Sequence, residues 1–145
     1  MSKPFILESD NTVYCDIDDT LVKWNASVDE KITDCVLFNN YGYDVYLVPH
    51  RKHIESLRLH KARGHKIIFW SAGGWEWAKE VVTTLDLLDL ADAILSKPKW
   101  FYDDLPASSF MPEANRIWKK DSAKEEIKEC NPTQSLDELE DKYIP

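Results

Sequence analysis

Three short apolar runs, each followed by a polar residue, constrain this chain most. "TVYC" (Thr12 to Cys15), "HKIIFW" (His65 to Trp70) and "DAILS" (Asp92 to Ser96) are rich in β-branched and aromatic residues and too short for helices. They read as buried strands. "KWFYDD" (Lys99 to Asp104) reads as a fourth. Helical patterns lie between the runs. Pro49 opens one helix, with Ile54, Leu57, Leu59 and Ala62 on or near one face and Gly64 as its stop. Trp75, Ala78, Val81, Val82 and Leu85 mark another. Strands alternating with helices predict an α/β fold of three layers, a mainly parallel central sheet with helices on both faces. Ligands of such sheets bind beyond the carboxyl ends of the strands.

The polar residues stand at those ends. Asp16 and Asp18 follow the first strand, Ser71 the second, Lys97 the third, and Asp103 and Asp104 the fourth. Residues far apart in sequence are thus expected on one rim. Asp16, Asp18 and Asp19 crowd three carboxylates into "DIDD", and like charges so close repel unless a cation offsets them. Hard oxygen donors suit Mg²⁺, which binds one or two carboxylates together with phosphate oxygens. Lys97 can neutralise phosphate charge. Ser71, with Ala72, Gly73 and a helix start behind it, offers a hydroxyl and backbone N–H groups to an anion. On extended backbone, residues i and i+2 point the same way, so Asp16 and Asp18 can flank one phosphorus as nucleophile and proton donor.

These stretches resemble the signatures of the haloacid dehalogenase superfamily of phosphatases. "DIDDTLV" is similar to its first signature, Ser71 in "IIFWSAGG" to the second, Lys97 in "LSKPKW" to the third and "WFYDDLP" to the fourth, in the family's order from Val13 to Asp104. "FWSAGGWEWAKEV" and "LSKPKWFYDDLP" also resemble small phage and bacterial hydrolases of that superfamily. The resemblance implies a Rossmann-like fold. It implies Asp16 as the nucleophile forming an aspartyl-phosphate, and Asp18 as general acid and base whose carbonyl also reaches Mg²⁺. Asp104 would be a further metal ligand, with Asp103 supporting it or orienting Lys97. Ser71 and Lys97 would hold the phosphoryl group, and Thr20 would brace the first loop. Asp19 stands where the family often has Gly, and Asp18 disfavours the dehalogenase branch, which lacks an acid there.

Family members differ mainly in caps over the site. Between the first two signatures only Val22 to Val48 is left for an insertion, enough for a small hairpin flap and no large cap domain. The hairpin is "CVLFNNYGYDVYLV", turning at Asn39 to Gly42. Ser71 to Lys97 is filled by one helix and a strand. An open site admits nucleotides, phosphorylated polynucleotide ends or phosphoproteins, or takes its lid from another copy in a homo-oligomer. Trp24, Phe38, Tyr41, Tyr43 and Tyr46 of the flap could stack on a base or form hairpin core.

The bulk properties agree. The chain has 145 residues, 26 acidic against 18 basic, for a net charge of −8. That balance disfavours broad non-specific nucleic-acid binding. The expected organisation is one domain over 1–130, with 22–48 as the flap, a helix from Glu113 to Cys130 including a solvated stretch at Ser122 to Glu129, and an acidic tail over 131–145. No apolar run reaches the ~18 residues of a membrane span. Three cysteines without metal spacing and without a signal segment point to reduced thiols in the cytoplasm. Cys15 is expected to pack away from the site. The four histidines (His50, His53, His60, His65) are expected to be exposed or capping, and the six tryptophans mostly core, with Trp70 near the substrate. Two rivals use the same inventory. A receiver-type phospho-acceptor module would place its acidic pair first in the chain, which this one does not. A non-catalytic binding protein would have no need of Asp16, Asp18, Lys97 and Asp104. Among enzymes, sugar-phosphate and phosphoprotein phosphatases are the alternatives.

Overall fold

The computed structural model describes residues 3–121. They fall into two compact units that divide between Lys97 and Pro98. The expected domain boundary at residue 130, the acidic tail and the Ser122 to Glu129 stretch lie outside the described residues.

The first unit is α/β. β1 (Thr12–Cys15), β5 (Lys66–Ser71) and β6 (Ala93–Ser96) form a parallel sheet in the order β1-β5-β6. Thr12 pairs with Lys66 and Cys15 with Phe69, while Ile68 pairs with Ala93 and Ser71 with Ser96. All three strands therefore end on one rim, with β5 between its partners. β2 (Val22–Lys23), β3 (Val36–Asn40) and β4 (Tyr43–Pro49) form a second, antiparallel sheet in the order β2-β4-β3. The β3–β4 hairpin turns through Tyr41 and Gly42, both at positive φ.

Three α-helices complete this unit. α1 (Val28–Asp34) is opened by a capping box in which Ser27 and Glu30 satisfy each other's backbone N–H. It buries no residue, which is why no apolar period announces it, although Ser27-x-x-Glu30 was a readable start signal. α2 (Arg51–Ala62) is capped by the His50 ring, which accepts from the His53 N–H. Pro49 closes β4 and pairs with Val22, so it ends a strand and does not open the helix. The buried face of α2 is His53, Ile54, Ser56, Leu57 and His60, with Leu59 turned outward. α3 (Trp75–Thr84) buries Trp77, Ala78, Val81 and Val82, leaving Trp75 half exposed. α3 packs against β5, β6 and β3, and α2 against β5. The core between them centres on Ile17, Leu21, Phe38, Ile67, Phe69, Val81 and Leu87. Burying such side chains contributes about 1.5–3 kcal/mol each.

In the second unit, the fourth strand expected over Lys99 to Asp104 is not formed. Trp100, Phe101 and Tyr102 are exposed, so the β-prone run has no buried face to pair against. The Asp103 side chain accepts from the Leu105 N–H at 3.0 Å, a turn contact ahead of Pro106. The helix expected from Glu113 is a single 3₁₀ turn over Glu113–Asn115, with no helix in residues 116–121.

Candidate active site

Asp16 and Asp18 leave β1 on a tight turn that its own backbone closes. The Ile17 carbonyl accepts from the N–H groups of Thr20, Leu21 and Val22 at 3.2, 2.8 and 3.2 Å. Asp19 sits in the left-handed region (φ 56°), which a Gly would enter without strain and an Asp tolerates better than most. Its N–H donates to the Val22 carbonyl at 2.7 Å and its carboxylate accepts from the Trp24 N–H at 3.1 Å. The role left open for Asp19 is thus to shape this turn. His53 braces it from below, its Nδ1 2.6 Å from the Thr20 carbonyl, and the His50 N–H donates to the Leu21 carbonyl at 2.8 Å.

The expectation that the histidines are exposed or capping holds for His50 as the cap of α2, but none of the four is exposed. All four are buried: His50 and His53 stack with ring centroids 3.5 Å apart, and His60 and His65 meet Nδ1 to Nδ1 at 2.8 Å. His50 is also the cap of α2, its Nδ1 accepting from the His53 N–H at 3.2 Å.

Asp16 is held from two sides. Lys97 Nζ lies 3.4 Å from Oδ1, and the Thr20 hydroxyl donates to Oδ2 at 3.4 Å. Lys97 reaches Asp16 because β6 ends beside β5: the Lys97 N–H donates to the Ser71 carbonyl at 2.9 Å. Its ammonium also lies 5.9 Å from the centre of the Trp70 ring, at the outer range of a cation–π contact, and Trp70 leans on Tyr14. Cys15 points into the core next to this carboxylate. Burial first, and the Asp16 charge second, push its thiol up to about 12.

The Ser71 turn faces Asp18. Ser71 is fully buried, and its hydroxyl oxygen accepts from the Gly73 N–H at 3.0 Å. The Gly74 N–H donates to the Ser71 carbonyl at 3.1 Å, so two of the N–H groups expected to hold an anion are engaged within the turn itself. Gly73 makes the approach possible. A Cβ there would stand 3.3 Å from Ser71 Oγ, 3.4 Å from Trp77 Cδ1 and 4.0 Å from Asp18 Oδ2. Asp18 Oδ1 accepts from two indole N–H groups, that of Trp24 at 2.8 Å and that of Trp77 at 3.0 Å.

The flap meets the same turn. The Tyr41 hydroxyl donates to the Gly73 carbonyl at 2.6 Å, and the Asn39 N–H donates to Glu80 of α3 at 2.7 Å. The two uses open to the flap aromatics divide by residue. Phe38 is core, Trp24 and Tyr41 touch the candidate site, and Tyr43 and Tyr46 are exposed. The tryptophans divide as well: Trp77 and Trp118 are buried, whereas Trp75 and Trp100 are exposed, contrary to a mostly core role.

Asp16, Asp18, Thr20, Ser71, Ala72, Gly73 and Lys97 are therefore gathered at the strand ends of the first unit. Asp103 and Asp104 belong to the second. Trp77 and His53 were missed as site residues. A buried indole needs an acceptor for its N–H, and Trp77 finds it in the Asp18 carboxylate. The Asp16 carboxylate and the Asp18 backbone carbonyl are two hard oxygen donors of the kind Mg²⁺ accepts when phosphate and water complete its shell. Among the described residues, no three His, Cys, Asp or Glu side chains converge as a full protein-built metal cage would need. No described helix is long and apolar enough to cross a membrane. No family model matches the chain, nor does any curated protein or solved structure.

Proposed function

We propose that this chain is a phosphomonoester hydrolase of the haloacid dehalogenase type, with a three-layer Rossmann-like fold, that works through Asp16. One observation carries the reading: the Asp16 carboxylate, the Lys97 ammonium and the Ser71 turn share the rim where β1, β5 and β6 end, with Lys97 bonded to both of the others. A carboxylate beside a lysine, next to a glycine-opened turn, is an arrangement for transferring a phosphoryl group.

In the first step an Asp16 oxygen attacks phosphorus. The bond to the leaving oxygen breaks, and that oxygen takes the Asp18 proton. In the second, Asp18 removes a proton from water, whose oxygen attacks phosphorus and frees Asp16. Lys97 balances charge on the phosphoryl oxygens, and Thr20 holds Asp16 in place. General acid–base help of this kind is worth about 10²–10⁴-fold in rate. Mg²⁺, when bound, would neutralise phosphoryl charge. Asp16 and Asp18 are its candidate ligands here, and the sequence resemblance adds Asp104 and Asp103.

Nucleotides or phosphorylated polynucleotide ends are the favoured substrates, in a cytoplasmic setting. The part-exposed Trp24 ring beside Asp18 supports this choice, because an aromatic face next to the leaving group can stack on a base. The test is phosphate release from mononucleotides, 3′- and 5′-phosphorylated oligonucleotides and sugar phosphates, with and without Mg²⁺. Mg²⁺-dependent release that Asp16→Asn abolishes is expected. Wild-type turnover in Asp16→Asn would end the reading.

A further inference from the structure

We infer that Trp24 and Trp77 are positioning residues that fix which oxygen of Asp18 serves the leaving group. The inference rests on the phosphatase reading and names a device that reading does not require.

A free carboxylate can present either oxygen, and an Asp side chain turns readily about χ2. Asp18 is not free to do so. Its Oδ1 accepts the Trp24 N–H at 2.8 Å and the Trp77 N–H at 3.0 Å. The two donors come from different elements: Trp24 follows β2 on the flap side, and Trp77 lies in the first turns of α3. The rings stand 6.4 Å apart at 46°, so they approach the oxygen from separate directions. Trp77 is fixed by burial, at 4% exposure, and by an edge contact with Phe38 at 6.1 Å. An indole N–H can only donate. Two such donors therefore engage Oδ1 as an acceptor. Oδ2, the oxygen facing the Gly73 turn, is then the one left to pass the proton of the phosphatase reading to the leaving oxygen. That step breaks the bond between phosphorus and the leaving oxygen and leaves Asp18 as the carboxylate both indoles hold.

Two measurements test this. In an indole ¹H–¹⁵N spectrum, with signals assigned by Trp24→Phe and Trp77→Phe, Asp18→Ala should move the Trp24 and Trp77 N–H resonances and leave that of exposed Trp100 in place. If neither moves, the clamp does not exist. The second is kcat/KM on aryl phosphates of differing leaving-group basicity, which reports steps up to departure of the leaving group. Phenoxide needs the Asp18 proton, and dinitrophenoxide leaves with little help. In both Trp→Phe variants we expect about a tenfold or greater loss on phenyl phosphate and less than about threefold on dinitrophenyl phosphate, as part of a general acid's 10²–10⁴-fold is withdrawn. Equal losses on both esters would overturn the inference and leave the phosphatase reading standing. No release from either ester by the wild-type chain would end both. Trp24, at 36% exposure, keeps the test available if the loss of buried Trp77 unfolds the protein.

Discussion

The Asp92 carboxylate ties the start of β6 to β5, and so holds in register the two strands that deliver Ser71 and Lys97. Its Oδ2 accepts from the Ile67 N–H at 2.8 Å and from Lys61 Nζ at 3.0 Å, and Lys66 Nζ lies 3.8 Å from Oδ1. The Asp92 N–H returns a bond to the Ile67 carbonyl at 2.8 Å. Ile67 is fully buried, so Asp92→Ala strands its N–H without an acceptor. That costs about 1–3 kcal/mol, and the part-exposed lysine pair adds at most ~1 kcal/mol, for a total of about 1–4 kcal/mol. Asp92→Asn keeps an acceptor for Ile67 and loses only the charge, about 1 kcal/mol. Urea unfolding at neutral pH should show lower midpoints in the order Ala, Asn, wild type, with unchanged slopes.

The pH dependence has a definite sign. Burial alone would raise the Asp92 carboxyl, but the Ile67 N–H and the charges of Lys61 and Lys66 outweigh it and hold it below its ordinary 3.8. The stabilisation is fully present above 3.8 and is lost as pH falls through the lower folded value. The gap between wild type and Asp92→Asn should therefore close only in that acid window. An Asn variant as unstable as Ala at neutral pH would refute the weight given to the Ile67 N–H.

Three other outcomes are expected. Gly74→Ala should destabilise by about 1–3 kcal/mol in thermal or urea unfolding, because φ is +107° there and the new Cβ would stand 2.6 Å from the Tyr41 hydroxyl. Adding Tyr41→Phe should recover only the steric part. Lys97→Met should lower kcat/KM for phosphate release by about 10²–10³-fold, the usual cost of removing one charge-stabilising donor, while far-ultraviolet circular dichroism stays unchanged. Cys15 should resist iodoacetamide at neutral pH while exposed Cys35 reacts in the folded protein, since burial keeps the Cys15 thiol protonated.

Much of the first unit was legible because its signals are local. The three parallel strands, the hairpin turn at Tyr41 and Gly42 and the Gly64 stop were each marked by a run or a breaker residue. The meeting of Asp16, Ser71 and Lys97 followed from topology alone, since parallel strands must end on the same rim. What escaped was set by burial. The α2 face was misjudged because His53 and His60 pack inward, where rings hydrogen-bonded to each other and to the Thr20 carbonyl are tolerated. The Lys99 to Asp104 run has strand composition, but Trp100, Phe101 and Tyr102 are exposed. The Trp24 and Trp77 contacts with Asp18 depend on two indoles arriving from distant segments, and no spacing in the sequence encodes that.

Rapid acid quench of the wild-type chain turning over an aryl phosphate with Mg²⁺, followed by peptide mass analysis, examines the central claim at the bond level. A phosphoryl group on the peptide holding Asp16, labile to hydroxylamine and lacking in Asp16→Asn, is the predicted result. A phosphoryl group on Ser71 or Asp18, or steady turnover with no trapped adduct at any quench time, would contradict it.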